Sequence, residues 1–414
     1  MGTGRWKAPL TGSLERLPYT LRFLCFLLFV SALFRLKSKV MSSSFKPAAL
    51  LIGVMLAFAS LEAGAENQAL GRQFIGIDSL TGFTESPASL PEQTVLTSPV
   101  FQARIEFNEV VLSWNAQLDQ DSYLSVEARA IYPEAGTKYF TLGLWSKNPA
   151  RHPRQSVAHQ GSADGDVSTD TLVLRRPAER LQIRVTVTGE SSARTALKFV
   201  GISLADTNAP PSELPPNQQA WGKLISVPER TQMVYPNGKT LCSPTTVSML
   251  MGYWAQTLKR SELDSSVPQI VDAIYDSQWQ GAGNWPFNMA YAGSFPGMRA
   301  YVSRLADVSE LESWIAQQLP VGLSVDYDRL RAKGPGPNGH LVVLVGFTKQ
   351  GDPIINDPGT SEHVRKVFPR KSLIDAWACS HNTVYLVYPQ NAALPEDRFG
   401  HWFSGVLTAP LPAK

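Results

Sequence analysis

Cysteine and histidine are scarce in this chain of 414 residues, which holds three cysteines and six histidines. No pair of them has the spacing of a zinc-binding motif, so we expect neither a metal ion nor another cofactor. One cysteine, Cys25, lies in an apolar N-terminal region, which leaves Cys242 and Cys379. In an exported protein these two could form a disulfide, so a structural role for Cys242 stays open at this point.

An excess of charge of one sign is also missing. Eight of the 38 Lys and Arg residues precede Glu66, but only two of the 35 Asp and Glu residues do. The rest of the chain is therefore slightly acidic, near −3 from these counts, which gives no reason to expect a nucleic-acid partner. The sequence carries no sign of an oligomeric state. Its length and its content of 43% hydrophobic and 18% charged residues predict a globular protein with two domains.

Residues 1–65 predict a targeting region. The second of two short apolar runs, at 48–58, follows Met41 and a basic residue and precedes small residues, which is typical of a secretory signal. We expect translation to start at Met41, a signal peptide at 41–65, and a secreted or periplasmic protein. Alternatively, the first apolar run, 23–34, remains as a membrane anchor, although it is shorter than the about 20 apolar residues that span a bilayer.

Residues 66–205 predict an antiparallel β-sandwich domain. Apolar and polar residues alternate along the chain, which is typical of strands with one buried face. The predicted strands lie at 101–112, 124–130, 139–145, 171–174, 181–187 and 197–204. No catalytic constellation is visible here, and contact with a glycan or another cell-envelope component stays an open alternative to a packing role.

A polar segment with four prolines, at 206–219, predicts a solvated linker. The domain after it, 220–390, predicts an α+β fold with helices before an antiparallel sheet, and 391–414 form a tail. Apolar residues at helical spacing predict an amphipathic helix at 244–258. Ser309 is the expected N-cap of a second helix. The other predicted elements are strands at 321–325, 341–347, 353–356 and 384–388 and a helix at 371–378.

Cys242 stands directly before Ser243-Pro244, where proline favours the first turn of a helix. The backbone N–H groups and the positive end of the helix dipole stabilise a thiolate there, and the thiolate is the reactive form of cysteine. Both a nucleophile and a structural thiol fit this segment. We expect Cys379 to be a buried thiol near the end of a helix.

His340 opens a very apolar strand, and a turn near Gly351 reverses the chain towards Asp357. Such a hairpin returns Asp357 to the sheet end that holds His340, although the register is open and contact can require a β-bulge. A carboxylate on one imidazole nitrogen leaves the other free to serve a cysteine. The pattern therefore favours a triad of Cys242, His340 and Asp357. Upstream, the amide of Gln232 could donate to an oxyanion.

Residues 220–390 resemble the C39-like peptidases, a papain-like family of cysteine peptidases. The matching stretches are Gln232, Leu241-Cys242-Ser243-Pro244-Thr245, the run 283–292, Pro320-Val321, Gly339-His340-Leu341-Val342-Val343 and Asn356-Asp357-Pro358. The resemblance implies a papain-like fold, a Cys242–His340–Asp357 triad and Gln232 in the oxyanion hole. Ser243 replaces a glycine common in the family, and Pro236-Asn237-Gly238 widens the gap between Gln232 and Cys242.

The function expected from these features is that of an exported peptidase or amide hydrolase that forms an acyl-enzyme with a peptide or protein substrate. Two alternatives stay open, an acyl transferase or cell-wall amidase and a non-catalytic envelope- or glycan-binding protein. Trp285, Asn288 and Tyr291 are candidate substrate-binding residues, with packing as the competing interpretation.

Overall fold

The structure, a computed structural model, describes residues 70–87, 92–190, 193–397 and 402–404. A sheet-rich N-terminal region precedes a C-terminal region of helices and sheet, which confirms the predicted α+β class. The predicted targeting region lies outside the described residues, so the start at Met41, the signal peptide and export stay predictions. Within the described ranges, no helix is long and apolar enough to span a membrane.

The N-terminal region consists of short strands around two long ones. Its elements are β1 (Arg72–Ile77), β2 (Thr84–Pro87), β3 (Gln93–Thr97), β4 (Phe101–Ala116), β5 (Tyr123–Ala130), β6 (Phe140–Ser146), β7 (Gly165–Ser168), β8 (Thr171–Thr188), α1 (Ala193–Ala196) and β9 (Leu197–Ala205).

The long strands β4 and β8 pair with each other and connect the other strands of this sheet. β8 is one continuous strand, although two separate strands are predicted there, and its first half pairs with β4 and β7 while its second half pairs with β3 and β5. The buried rings of Trp114 in β4 and Trp145 in β6 meet edge-on at 6.5 Å, across the interior. The predicted alternation is present in β5, where every second side chain is buried.

The C-terminal region begins with helices. Its elements are α2 (Cys242–Leu258), α3 (Val267–Ile274), α4 (Trp285–Ala292), β10 (Met298–Arg304), α5 (Val308–Ala316), β11 (Val321–Asp326), α6 (Tyr327–Leu330), β12 (Gly339–Phe347), β13 (Pro353–Asn356), β14 (Arg365–Val367), α7 (Arg370–Trp377) and β15 (Thr383–Pro389). The strands form one antiparallel sheet in the order β10-β15-β11-β12-β13-β14. A last strand, β16 (Trp402–Ser404), pairs in parallel with β1 of the N-terminal sheet.

Three local predictions are wrong. Helix α2 is buried on all sides from Ser243 to Gly252 rather than amphipathic, because both the sheet and other helices cover it. Asp307, not Ser309, caps α5, since its carboxylate accepts the N–H of Ser309 at 2.6 Å. Cys379 is an exposed free thiol rather than a buried one, because the chain beyond Trp377 turns outward after that side chain has filled the core.

The two regions share one interior. Phe287 of α4 is fully buried between Trp114 and Trp145, at centroid distances of 6.0 and 5.5 Å. The side chain of Asn115 in β4 bonds both backbone groups of Ala300 on β10, at 2.7 and 3.2 Å. Because β10 is an edge strand of its own sheet, these bonds satisfy backbone groups that would otherwise be unpaired.

We predict that Phe287→Ala lowers the free energy of unfolding by about 3–5 kcal/mol, because it leaves a cavity between two tryptophans. Val367→Ala, at a side chain that is 56% exposed, serves as the control and should change it by less than about 0.5 kcal/mol. Denaturant unfolding measures both. Because the ring is shared, we also expect one cooperative transition, and two separate transitions would contradict a common interior.

Candidate active site

Cys242 is the first residue of α2, as the sequence predicts within two residues. The residue before it caps the helix without a side-chain hydrogen bond, so the backbone donors of the first turn are not covered by a capping side chain. Cys242 itself is half-buried and its thiol is free. The first turn of α2 thus places the thiol of this half-buried residue at the positive end of the helix.

A β-bulge sets the position of Asp357 relative to His340. β12 and β13 pair Phe347 with Pro353 at one end but Val343 with Asn356 at the other, with one extra residue on β12 between Leu344 and Gly346. Extended by one residue, this register places Asp357 opposite Val342, which shares a strand face with His340. Without the bulge, Asp357 would lie opposite Val343 and on the other face.

Gly346 stands at this bulge because another segment of backbone approaches it. A Cβ atom there would lie 2.3 Å from the carbonyl oxygen of Lys223. That close approach allows Ile225 to donate its N–H to Val345 at 2.7 Å and Phe347 to donate to Lys223 at 3.0 Å. The backbone of the bulged residue, Val345, is therefore hydrogen-bonded to the segment 223–225 rather than left without a partner.

The predicted contact between His340 and Asp357 is present. His340 Nε2 lies 2.8 Å from Asp357 Oδ1, and the two residues are 4% and 1% exposed. Asp357 also accepts the N–H of Gly359 at 2.9 Å and the hydroxyl of Tyr327 at 2.9 Å. The Tyr327 ring lies against the imidazole with centroids 4.0 Å apart and the planes tilted by 33°. These contacts hold the imidazole plane and leave Nδ1 as the nitrogen that serves the thiol.

The electrostatics of the three side chains favour an ion pair. Burial by itself raises the pKa of the Cys242 thiol, but the hydrogen bond and charge of His340, with backbone N–H groups of Leu341 and Ser243, outweigh it and lower that pKa. Burial opposes charge on His340 as well, yet its bonds to Asp357 and Cys242 raise the pKa of the imidazole to about 9. A thiol pKa below its ordinary value, beside an imidazole pKa of about 9, favours the thiolate–imidazolium pair over the neutral pair.

Asp357 stays ionised beneath this pair. Burial raises its pKa, whereas the hydrogen bond and charge of His340, the N–H of Gly359 and the Tyr327 hydroxyl lower it below the usual range overall. An ionised Asp357 supports the positive charge on His340.

Ser243, which stands where the resemblance leads one to expect glycine, has a hydrogen-bond partner that was not predicted from the sequence. The Ser243 hydroxyl lies 2.8 Å from the hydroxyl of Tyr385, and both are buried. This bond ties the first turn of α2 to β15, next to the backbone N–H that points at the Cys242 sulfur. A buried polar pair of this kind was not visible from the sequence because its members are 142 positions apart.

Gln232 is buried, at 3% exposure, in a short helical turn. Its backbone N–H donates to Pro358 at 3.0 Å, which ties this turn to the loop that carries Asp357. Its side-chain Oε1 has no hydrogen-bond partner among the described residues. The unpaired atom is the acceptor oxygen, which is costly to bury, and the role of the Gln232 amide as an oxyanion donor stays a prediction.

The three candidate substrate-binding residues all lie in α4. Asn288 is fully buried and donates to the carbonyls of Ala282 and Asn284, while the Tyr291 hydroxyl donates to Ser265 at 2.6 Å. Trp285 is half-buried and packs against the core. In the part of the chain that the structure describes, no hydrogen bond, ring contact or ion pair joins them to the triad, and their substrate role stays a prediction. Among the residues that the structure describes, no group of three or more His, Cys, Asp or Glu side chains is placed to hold a metal ion.

Two family models match the chain. The one described as "Peptidase C39 N-terminal domain" matches residues 62–205, and the one described as "Peptidase_C39 like family" matches residues 224–385. No curated protein matches the sequence. One solved structure, titled "Structural basis for the promiscuous specificity of the carbohydrate-binding modules from the beta-sandwich super family", is 13% identical, with a TM-score of 0.13.

The alignment with that structure covers 34% of this chain and 57% of the other, and so low a TM-score supports no inference about fold or ligand. The family matches, in contrast, span both regions of the fold and include Gln232, Cys242, His340 and Asp357. Together the two matches cover most of the chain, and residues 224–385 carry a domain of the Peptidase_C39 like family.

Proposed function

We propose that the protein is an exported cysteine peptidase that cleaves amide bonds through an acyl-enzyme. The observation that carries this proposal is the connected set of Cys242, His340 and Asp357, in which the thiol pKa is lowered and the imidazole pKa is raised to about 9. Export rests on the predicted signal peptide alone. Cell fractionation followed by N-terminal sequencing tests it, and a chain that stays inside the cell with its N-terminal region intact would contradict it.

In the proposed reaction, the Cys242 thiolate attacks the carbonyl carbon of the substrate amide. The Cys242 N–H and the Gln232 side chain donate to the oxyanion that forms. Protonated His340 then gives its proton to the amine as the C–N bond breaks, which leaves a thioester on Cys242. A water molecule, deprotonated by His340, attacks the thioester, and the carboxylic acid product leaves with the thiolate restored.

Family membership favours a protein or peptide substrate. The same thioester can pass its acyl group to an amine, so a transferase or cell-wall amidase is the second candidate. The two are separated by incubating a peptide substrate with a free amino acid amide and analysing the products by mass. We expect the hydrolysed acid, formed by the unchanged protein and not by Cys242→Ala, and a dominant amide adduct would favour transfer.

We predict that iodoacetamide alkylates Cys242 much faster than Cys379 at neutral pH. Cys242 has a lowered thiol pKa, whereas Cys379 is exposed and lies away from the triad. The rates are measured by peptide mass spectrometry after timed quenching, and His340→Ala should slow Cys242 while Cys379 stays unchanged. Equal slow rates at both thiols would favour the alternative of a non-catalytic protein that contacts a glycan or another envelope component.

We predict a bell-shaped pH profile of kcat/KM. Activity should rise as pH rises through the lowered pKa of Cys242 and fall near pH 9, where His340 loses its proton. In Asp357→Asn the carboxylate no longer supports the imidazolium, so the alkaline limb should move to lower pH. The matched Asp375→Asn, on the exposed face of α7, should leave both limbs in place. An unmoved alkaline limb in Asp357→Asn would contradict the role given to that carboxylate.

A further inference from the structure

The three side chains of the triad come from two layers of the C-terminal region. Cys242 begins α2, whereas His340 lies in β12 and Asp357 follows β13, so the last two are placed by the sheet. Their bond to each other is set within the sheet by the β-bulge. The contact between the thiol and the imidazole, in contrast, depends on how the first turn of α2 is held against the sheet.

One strand of the sheet, β15, is hydrogen-bonded to α2 at two points. Towards the C-terminal end of the helix, Trp254 donates its indole N–H to the carbonyl of Val387 at 2.7 Å. At the first turn, the hydroxyls of Ser243 and Tyr385 lie 2.8 Å apart. Ser243 directly follows Cys242, so this second bond holds the turn that carries the thiol.

Tyr385 reaches the first turn of α2 because the helix lies close to the sheet. Tyr385 pairs with Gly322 of β11, and a Cβ atom at this glycine would lie 2.9 Å from the Cβ of Tyr385 and 3.2 Å from the Cγ2 of Thr246. The glycine thus leaves room both for the tyrosine and for a side chain of α2 one turn beyond Cys242. Tyr385 itself is fully buried, so its position is set by close packing.

The hydroxyl pair stays uncharged over the pH range in which the triad titrates. Burial raises the pKa of Tyr385 well above its ordinary value, the hydrogen bond with Ser243 lowers it less, and the charges of Asp170 and Cys242 add to the rise. His340, whose pKa is raised to about 9, therefore loses its proton before Tyr385 does. The pair is thus a constant contact rather than a further titrating group of the site.

The pair lies beside the donors that stabilise the thiolate. The backbone N–H groups of Ser243 and Leu341 both bond the Cys242 sulfur, one from α2 and the other from β12. A shift of the first turn away from the sheet would leave the sulfur with the N–H of its own helix but would lengthen its contacts with Leu341 and His340 together. The thiolate therefore requires α2 and β12 in one relative position.

We propose that Ser243 and Tyr385 are positioning residues for the nucleophile: their hydroxyl pair holds the first turn of α2 against the sheet and so keeps Cys242 in contact with His340. This inference rests on the proposed peptidase function and adds two residues that act on the thiol through the first turn of α2. A glycine at position 243, which the resemblance leads one to expect, could not make this contact.

The test compares two tyrosines of β15 by the pH dependence of iodoacetamide alkylation at Cys242. Tyr385→Phe removes the hydroxyl that bonds Ser243, and the matched Tyr388→Phe removes one that lies 3.0 Å from the hydroxyl of Tyr301 in a second buried pair. Because one hydrogen bond changes an equilibrium about three- to tenfold, we expect Tyr385→Phe to slow the alkylation by a factor in this range at a pH below the thiol pKa. Tyr388→Phe should retain the rate of the unchanged protein.

A double variant, Ser243→Ala with Tyr385→Phe, shows whether the effect comes from the pair. It leaves neither hydroxyl buried without a partner, so it should fold at least as well as Tyr385→Phe alone, while the alkylation of Cys242 stays slow. Cys379, alkylated in the same samples, is the internal reference and should not change. Rates at Cys242 in both variants that match the rate in Tyr388→Phe would overturn the inference.

Alkylation requires no substrate, so it tests the pair separately from peptide cleavage. Fast alkylation of Cys242 that neither variant alters would overturn the positioning role and leave the peptidase function standing. Slower alkylation in both variants, with no cleavage of peptides by the unchanged protein, would support the positioning role and contradict the peptidase function. Equally slow alkylation of Cys242 in every protein, the unchanged one included, would contradict both.

Discussion

The hydrogen bond between His340 and Asp357 is the contact on which the site depends, and a single extra residue in β12 makes it. The bulge between Leu344 and Gly346 moves Asp357 to the strand face that His340 occupies. From that bond follow the raised pKa of the imidazole, the lowered pKa of the thiol and the ionised state of Asp357. Tyr327 packs its ring against the imidazole and donates its hydroxyl to Asp357, so the whole arrangement is fixed before substrate arrives.

The N-terminal region is part of the same folding unit rather than a separate attachment. Its Trp114 and Trp145 enclose Phe287, and its Asn115 satisfies the backbone of the edge strand β10. An ion pair at 2.7 Å joins half-buried Glu109 of β4 to buried Arg304 of β10 and so gives the buried guanidinium a charged partner. The region also contacts the end of α3, where Arg154 donates to the carbonyl of Ala273.

The sequence carried enough local information to predict that Cys242 lies at the start of α2 and that the chain returns Asp357 to His340. Pro244 marked the first turn of α2, and the apolar strand, the turn and Asn356-Asp357-Pro358 marked a hairpin that returns to His340. What it could not predict are contacts between distant residues. The hydroxyl pair of Ser243 and Tyr385, the burial of α2 on all sides and the pairing that stabilises the bulge depend on tertiary packing, which overrides local periodicity. The N-cap of α5 was misplaced for a local reason, since two capping residues stand close together there.

We infer that His340, supported by Asp357, lowers the pKa of the Cys242 thiol and so favours its thiolate. The most direct measurement is the titration of thiolate absorbance in the ultraviolet, taken as the difference between the unchanged protein and Cys242→Ala. We expect a thiolate that persists below the ordinary thiol pKa and whose titration shifts to higher pH in His340→Ala. A Cys242 that titrates at or above the ordinary thiol pKa, with no response to the loss of His340, would contradict it.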